Sequence, residues 1–180
     1  MSKLATYFHT LKYLKPKQVY YRLKKKVKQP SVHILSLARE SVNGSWVIQE
    51  LYTQKFISEH EVCFLNQSEK ISSASVWNDE TYAKLWLYNL HYFDDLNAVG
   101  RLDKLELQKY FIERWVNENP PPVGNGWEPY PISLRVVNWV KAFLSGLEVS
   151  DSVYDSLACQ TDFLSQDLEH HLLGNHLFVN

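Results

Sequence analysis

The stretch Asn119-Pro-Pro-Pro-Val-Gly-Asn-Gly-Trp-Glu-Pro-Tyr-Pro-Ile132 holds five prolines and two glycines. Proline lacks an amide donor and restricts the residue before it, so neither a helix nor a central strand can run through this segment. Apolar residues on both sides of it recur at helical spacings. The stretch therefore divides a helical region into blocks.

Upstream, Asn78 or Asp79 can cap a helix that runs through Leu85, Trp86, Tyr88 and Asn89 to about Asn97. Its apolar side includes Leu85, Tyr88 or Asn89, and Tyr92. Leu102, Leu105, Leu107, Tyr110, Phe111, Ile112 and Trp115 describe the next helix, stopped by Pro120, Pro121 and Pro122. Downstream, Ile132, Val136, Val137, Trp139, Val140, Phe143 and Leu144 predict a third, ended at Ser145-Gly146. Ser150 or Asp151 opens a fourth, with Val153, Leu157, Gln160, Leu164 and Leu168 on one face. A last element begins near Gly174 and contains Leu177, Phe178 and Val179, which need something to pack on. Short connections predict antiparallel helical hairpins over residues 79–180.

The N-terminal part differs in charge. Residues 1–30 carry nine basic side chains and no acidic one, so a formal total of −1 leaves −10 on the rest. Leu11, Leu14, Val19, Leu23 and Val27, with interleaved tyrosines, predict two short helices, about 4–14 and 17–28, split at Pro16. This basic amphipathic arm, residues 1–28, can dock on its own acidic body, on an anionic polymer or membrane surface, or on nucleic acid. No motif that reads nucleic acid accompanies it, and no nucleic-acid partner is expected. Residues 29–78 predict an irregular segment that wraps the helical body, with a possible short strand at 59–65 and an extended stretch at 70–77.

Composition excludes several classes. Apolar types make up 45% and aromatics 14%, too many for a wholly disordered chain. No apolar run reaches the roughly 18 residues of a membrane span. No apolar stretch of signal-peptide type follows Met1, so cytoplasmic residence is the direct reading, with export the alternative if the start is incomplete. Cys63 and Cys159 form no CxxC pair and read as buried thiols.

Three segments carry candidate chemistry. Trp127, Glu128 and Tyr130 sit between Gly126 and Pro131. A rigid loop with aromatics and a carboxylate can wall a ligand site, because pyranose C–H faces cover aromatic rings. The same loop can equally be a connector whose Trp127 plugs a core. Asn89 and Tyr92 can share a helix face with His91 next door, and the competing fate of His91 is a hydrogen-bonded core position. Arg135 and Asn138 can point to one side of an apolar helix, where Arg135 either pairs with a carboxylate such as Glu128 or meets an anionic ligand.

The run Glu169-His170-His171 with His176 lacks HExxH, and a spacing of five does not place His171 and His176 on one helix face. No metal site and no cofactor are expected. Gly174 reads as a bend that exposes Asn175 and His176 at a helix start. No Gly-rich phosphate loop or serine nucleophile elbow occurs.

Three strings resemble the N-terminal part of the heparinase II/III family of polysaccharide lyases. They are Leu85-Trp-Leu-Tyr-Asn-Leu-His-Tyr-Phe-Asp94, Gly126-Trp-Glu-Pro-Tyr-Pro-Ile-Ser-Leu-Arg-Val-Val-Asn-Trp139 and Leu168-Glu-His-His-Leu-Leu-Gly-Asn-His-Leu-Phe-Val-Asn180. His9-Thr-Leu-Lys-Tyr-Leu-Lys-Pro-Lys-Gln-Val-Tyr-Tyr-Arg22 is also similar to members with this leader.

The resemblance implies a mainly α fold, an incomplete α/α toroid of helical hairpins with an irregular N-terminal wrapping segment. It implies a following C-terminal β-sandwich domain, absent from this chain, and an acidic polysaccharide partner cleaved by β-elimination next to a uronic acid. Asn175 resembles the residue that neutralises the uronate carboxylate. The family's proton-handling tyrosine and histidine have no counterpart here, so this chain alone is expected to be inactive. Asn89, His91, Tyr92, Trp127, Glu128, Tyr130, Arg135 and His176 are the expected substrate-binding residues. The alternatives are a non-catalytic acidic-glycan-binding or structural helical protein, and a nucleic-acid binder using residues 1–30.

Overall fold

A computed structural model describes residues 13–34, 46–170 and 172. Over these residues the chain is mainly helical with one small antiparallel sheet. Helix α1 spans Pro16–Val27, followed by strands β1 (Phe56–Ser58), β2 (Glu61–Phe64) and β3 (Gln67–Lys70). Helices α2 (Lys84–Tyr92), α3 (Leu105–Glu118), α4 (Pro129–Leu144) and α5 (Asp151–Gln166) complete the order.

Local chemistry sets the ends of these helices. Pro16 occupies the first turn of α1, and the Gln18 side chain accepts the Lys15 amide at 2.9 Å. Pro129 starts α4 directly after Glu128, whose extended backbone forms the cap position. Gly146, at φ 95°, takes the left-handed turn after α4 that an L side chain rarely adopts. Ser150 precedes α5, and its amide and hydroxyl both donate to the Glu113 carboxylate of α3, at 3.0 and 2.9 Å. The expected ranges of the third and fourth helices therefore hold to within a few residues.

The expected helix over about 79–97 is in fact three pieces. Asp79 Oδ1 accepts from both the amide and the hydroxyl of Thr81, which closes a local turn that competes with helix. The α-helix starts only at Lys84 and stops at Phe93, which is left-handed at φ 59°. That backbone is costly for a bulky residue. The Phe93 ring is held by the core, 5.7 Å from Phe56 and 5.4 Å from Trp139. A 3-10 turn at Asp94–Asn97 follows, and another at Arg101–Lys104 precedes α3. The buried face of α2 is Trp86, Leu87, Leu90, His91 and Tyr92, whereas Leu85 is 57% exposed.

The sheet runs in the order β1-β2-β3, with Phe64 opposite Gln67 across a two-residue hairpin. Leu65 and Asn66 both take positive φ there, as a primed turn requires. Phe56, Val62 and Phe64 face the core. Only β2 coincides with the strand expected at 59–65. The stretch expected as extended over 70–77 ends instead in a 3-10 turn, Ala74–Asn78, which buries Val76 and Trp77.

The core is aromatic. Trp77, Trp86, Trp115 and Trp139 are its largest fully buried side chains, with Phe56, Phe93 and Phe111. Helix α4 packs against α2 and α5, and α3 packs against α5. Arg114 ties α3 to the end of the sheet, donating to Ile71 O at 2.6 Å and Ser73 O at 3.1 Å while pairing with Glu118 at 2.9 Å. Residues 46–55 run extended across the helices, with Trp46 N donating to Leu144 O at 3.1 Å and Tyr52 bridging Ala98. Cys159 is buried and Cys63 half-buried, both as free thiols. No helix among the described residues is long and apolar enough to cross a membrane.

Candidate functional site

The expected site residues separate into a buried group and a surface group. His91 and Arg135 are fully buried, and Trp127 is 4% exposed. Tyr92 is nearly buried, and Asn89, Glu128 and Tyr130 are half-buried. Asn175 and His176 lie outside the described residues, as do Gly174 and the apolar run Leu177, Phe178 and Val179.

Arg135 is the centre of the buried group. Its Nε donates to Gln160 Oε1 at 2.7 Å, Nη1 to His91 O at 3.3 Å and Nη2 to Gly126 O at 2.8 Å. The guanidinium lies 3.8 Å from the Trp115 ring centre, a cation–π contact. Neither expected partner of Arg135 is found. Glu128 is engaged elsewhere, and an outside anion has no solvent path to a fully buried side chain. Burial pushes the guanidinium well down from its ordinary value. The three oxygens and the Trp115 face oppose that shift and keep the cation intact.

His91 is part of the same node. Its Nε2 donates to Trp77 O at 2.9 Å, and its Nδ1 accepts from Trp115 Nε1 at 2.9 Å, which assigns the tautomer. Burial and the nearby Arg135 hold the imidazole down at about 3, against 6.5 ordinarily. His91 is therefore neutral and engaged on both nitrogens. Trp127 packs 5.9 Å from Trp115 and 5.5 Å from Phe163, and its Nε1 donates to Asn119 O at 3.0 Å. Of the two readings left open for this loop, Trp127 as a core plug is the one realised. It offers no face to a sugar.

The surface group gathers where α2 meets the start of α4. Lys84 Nζ pairs with Glu128 Oε1 at 2.9 Å, and the Tyr88 hydroxyl donates a short hydrogen bond to Glu128 Oε2. Lys84 Nζ also lies 5.2 Å from the Tyr88 ring centre. The row continues through Tyr92, 6.4 Å from Tyr88 and 5.9 Å from Tyr130, the latter edge to face. Burial raises the phenol pKa of both Tyr88 and Tyr92. Glu128 adds to the shift at Tyr88, and Tyr130 at Tyr92. Both phenols remain protonated, and that of Tyr88 serves as the hydrogen-bond donor to Glu128.

Asn89 turns its amide back to Leu85 O at 2.8 Å. Asn138, noted in sequence beside Arg135, joins a separate network, donating to Tyr92 O at 2.8 Å and Asp94 Oδ1 at 3.1 Å. Asn97 donates to Asn138 Oδ1 at 2.7 Å.

Beside this cluster an open groove of about 670 Å³ is lined by Asn78, Tyr82, Lys84, Asn125 and Glu128 among others. Tyr82 stacks on Trp86 at 4.5 Å, a flat aromatic floor at the groove. Sequence reasoning missed Lys84, Tyr88 and Tyr82. Tyr88 was read only as an apolar-face residue alongside Tyr92, and the spacing of four from Lys84 to Tyr88 would have added Lys84 to that stripe. Among the described residues, no group of three or more His, Cys, Asp or Glu side chains can hold a metal ion. No family model, curated protein or solved structure matches the chain.

Proposed function

We propose that this chain is the N-terminal portion of a lyase that cleaves uronic-acid-containing acidic polysaccharide by β-elimination, its helices beginning an α/α toroid. The reading starts from the three ordered strings that resemble heparinase II/III-type lyases. The observation that carries it is the joining of two of these strings through one buried node. Arg135 bonds to His91 O and Gly126 O, and the elements so fixed present Tyr88, Tyr92, Tyr130 and Glu128 together. Residue Glu169 of the third string is close enough to Tyr88 to raise its pKa.

The chemistry assigns each group a role. A uronate carboxylate resists loss of the adjacent C5 proton because negative charge builds up there. The amide of Asn175 hydrogen-bonds that carboxylate and stabilises the enolate-like charge without titrating. Tyr130 supplies ring surface for the sugar, with Tyr92 packed edge to face behind it, and Lys84 supplies positive charge at the groove beside them. His91, Trp127 and Arg135 act from beneath by fixing α2 and the start of α4. In the family that the chain resembles, the groups that move the protons come later in the chain, and burial, by keeping Tyr88 and Tyr92 protonated, makes them poor candidates for that role.

The second reading, a non-catalytic acidic-glycan-binding protein, is favoured by that same protonation. Both readings are tested by incubating a longer protein that includes the C-terminal β-sandwich domain with a panel of uronate-containing glycans. Near-ultraviolet absorbance reports the conjugated unsaturated product, and titration calorimetry reports binding. Product formation establishes the lyase. Saturable binding without product supports the binding protein, and neither signal on any glycan removes both.

A further inference from the structure

Helix α1 lies against the end of α5, far in sequence from the groove just described. Lys25 Nζ pairs with Asp167 Oδ2 at 2.7 Å, and the Tyr21 ring stacks on His170 at 4.5 Å. Beyond the helix, Ser31 N donates to Gln166 Oε1 at 2.9 Å, and His33 Nδ1 meets Asp162 Oδ2 at 2.8 Å. These contacts hold a cleft of about 110 Å³ along the seam, lined by Tyr21, Lys24, Lys25, Lys28, Asp167 and His170 among others.

The seam is charge-unbalanced. Three lysines line the cleft against one carboxylate, 3 − 1, an excess of two positive charges before any proton on His170. Only Lys25 has a carboxylate partner among the described residues. Lys24 is held with its Nζ 5.6 Å from the Tyr21 ring centre, and His170 Nδ1 is sealed from solvent with no hydrogen-bond partner among the described residues. Residues 13–34 contribute seven Lys and Arg and no acidic side chain, so the helix itself offers no counter-charge. Like charges lining one cleft repel, and an anion between them relieves that repulsion.

We propose that this seam binds a tetrahedral oxyanion, phosphate or sulfate, either free or carried as a monoester. Two negative charges match the local excess, and ammonium groups bind such oxygens as point charges with freely rotating donors. The size is suited to one small anion with a few waters, each water claiming about 30 Å³ of liquid volume. The site is independent of the lyase reading, because none of its residues belongs to the groove at α2 and α4.

The test is titration calorimetry of the whole chain with inorganic phosphate and with inorganic sulfate, at constant ionic strength balanced by chloride. Saturable one-to-one binding is expected, with chemical-shift changes at the Tyr21 and His170 rings. K24Q and K28Q should each weaken it by about tenfold or more, the scale of one lost charge-assisted hydrogen bond. K15Q and K26Q remove equal charge from the same basic segment without lining the cleft, and should leave affinity within about twofold, as screened surface charges do. All four lysines are exposed, so the variants retain the fold, which circular dichroism checks. A glucosamine 6-sulfate arm separates the sources: tighter binding than inorganic sulfate assigns a carried ester, equal or weaker binding a free anion. No saturation with any of the three probes overturns the site. Equal losses from the two pairs of variants also overturn it, because they would show diffuse attraction to the helix.

Discussion

The Arg135 guanidinium stacks on Trp115, its central carbon 3.8 Å from the ring centre, and is fully buried with no carboxylate partner among the described residues. Three neutral oxygens from three places in the sequence share the charge: the Gln160 side chain and the backbone of His91 and Gly126. A single side chain thus joins α2, the loop before α4, and α5.

Replacing that side chain tests how much it holds. Arg135→Met fills similar volume but leaves the three oxygens unpaired, each costing about 1–3 kcal/mol. Urea unfolding should show a loss of about 3 kcal/mol or more, and Arg135→Lys should not rescue it, lacking the planar fork. A loss below about 1 kcal/mol would place the node among ordinary surface changes and contradict its role.

Gly126 has a steric reason to be glycine. A Cβ there would lie 2.7 Å from His91 Nδ1, 2.9 Å from His91 Cε1 and 3.1 Å from Trp115 Cζ2. These rings are fixed by the Trp115 to His91 hydrogen bond and cannot easily yield. Gly126→Ala should cost about 1–3 kcal/mol by overpacking. Thermal unfolding that is unchanged, or raised, would show that the loop moves aside.

His91 makes stability depend on pH. Its folded value is about 3, against 6.5 for the ordinary imidazole. Between those values the unfolded chain binds the extra proton and the folded chain does not. The contribution of His91 is therefore complete above about pH 6.5 and declines as pH falls toward 3, with a limiting slope of about 1.4 kcal/mol per pH unit. Denaturant unfolding across this window, compared with His91→Gln, isolates the term from the carboxylates. The variant should lose close to one proton's worth of slope. Parallel curves for both proteins would disprove the linkage.

Trp127 and Tyr130 are neighbours in sequence with opposite expected phenotypes. Trp127→Ala removes a core ring and the bond to Asn119 O, and should cost about 3–5 kcal/mol. Tyr130→Ala removes a half-buried ring, and should cost less stability while weakening oligosaccharide binding by about tenfold, the scale of one base-like stacking contact. Equal effects on stability and no effect of Tyr130→Ala on binding would argue against the aromatic row as a sugar platform.

The helical blocks α4 and α5 were legible because their signals are local. Ser145-Gly146 and Ser150 mark an end of each, and of the near-four series Val153, Leu157, Gln160, Leu164 and Leu168, Val153, Gln160 and Leu164 are buried while Leu157 and Leu168 are half-buried. The helix expected over about 79–97 was misread because its periodicity continues through Phe93, where the chain turns left-handed to place that ring in the core. The sheet was mostly missed. Strands β1 and β3 are three and four residues long and largely exposed, so their alternation is too brief to register.

Sequence alone determined where prolines and Ser145-Gly146 stop a helix and which residues share a stripe, since both depend on neighbours within a few positions. It could not determine what packs on each stripe. Arg135 was legible as an arginine on an apolar helix face, yet its partners lie 9, 25 and 44 residues away. Two of those partners are backbone carbonyls, which every residue type carries and no composition reveals. Only the tertiary structure decided that Arg135, His91 and Trp127 face inward while Tyr130 and Glu128 reach the surface. Burial of a charged or polar group depends on the sum of distant hydrogen bonds that replace its water, and that sum exists only once the helices have come together.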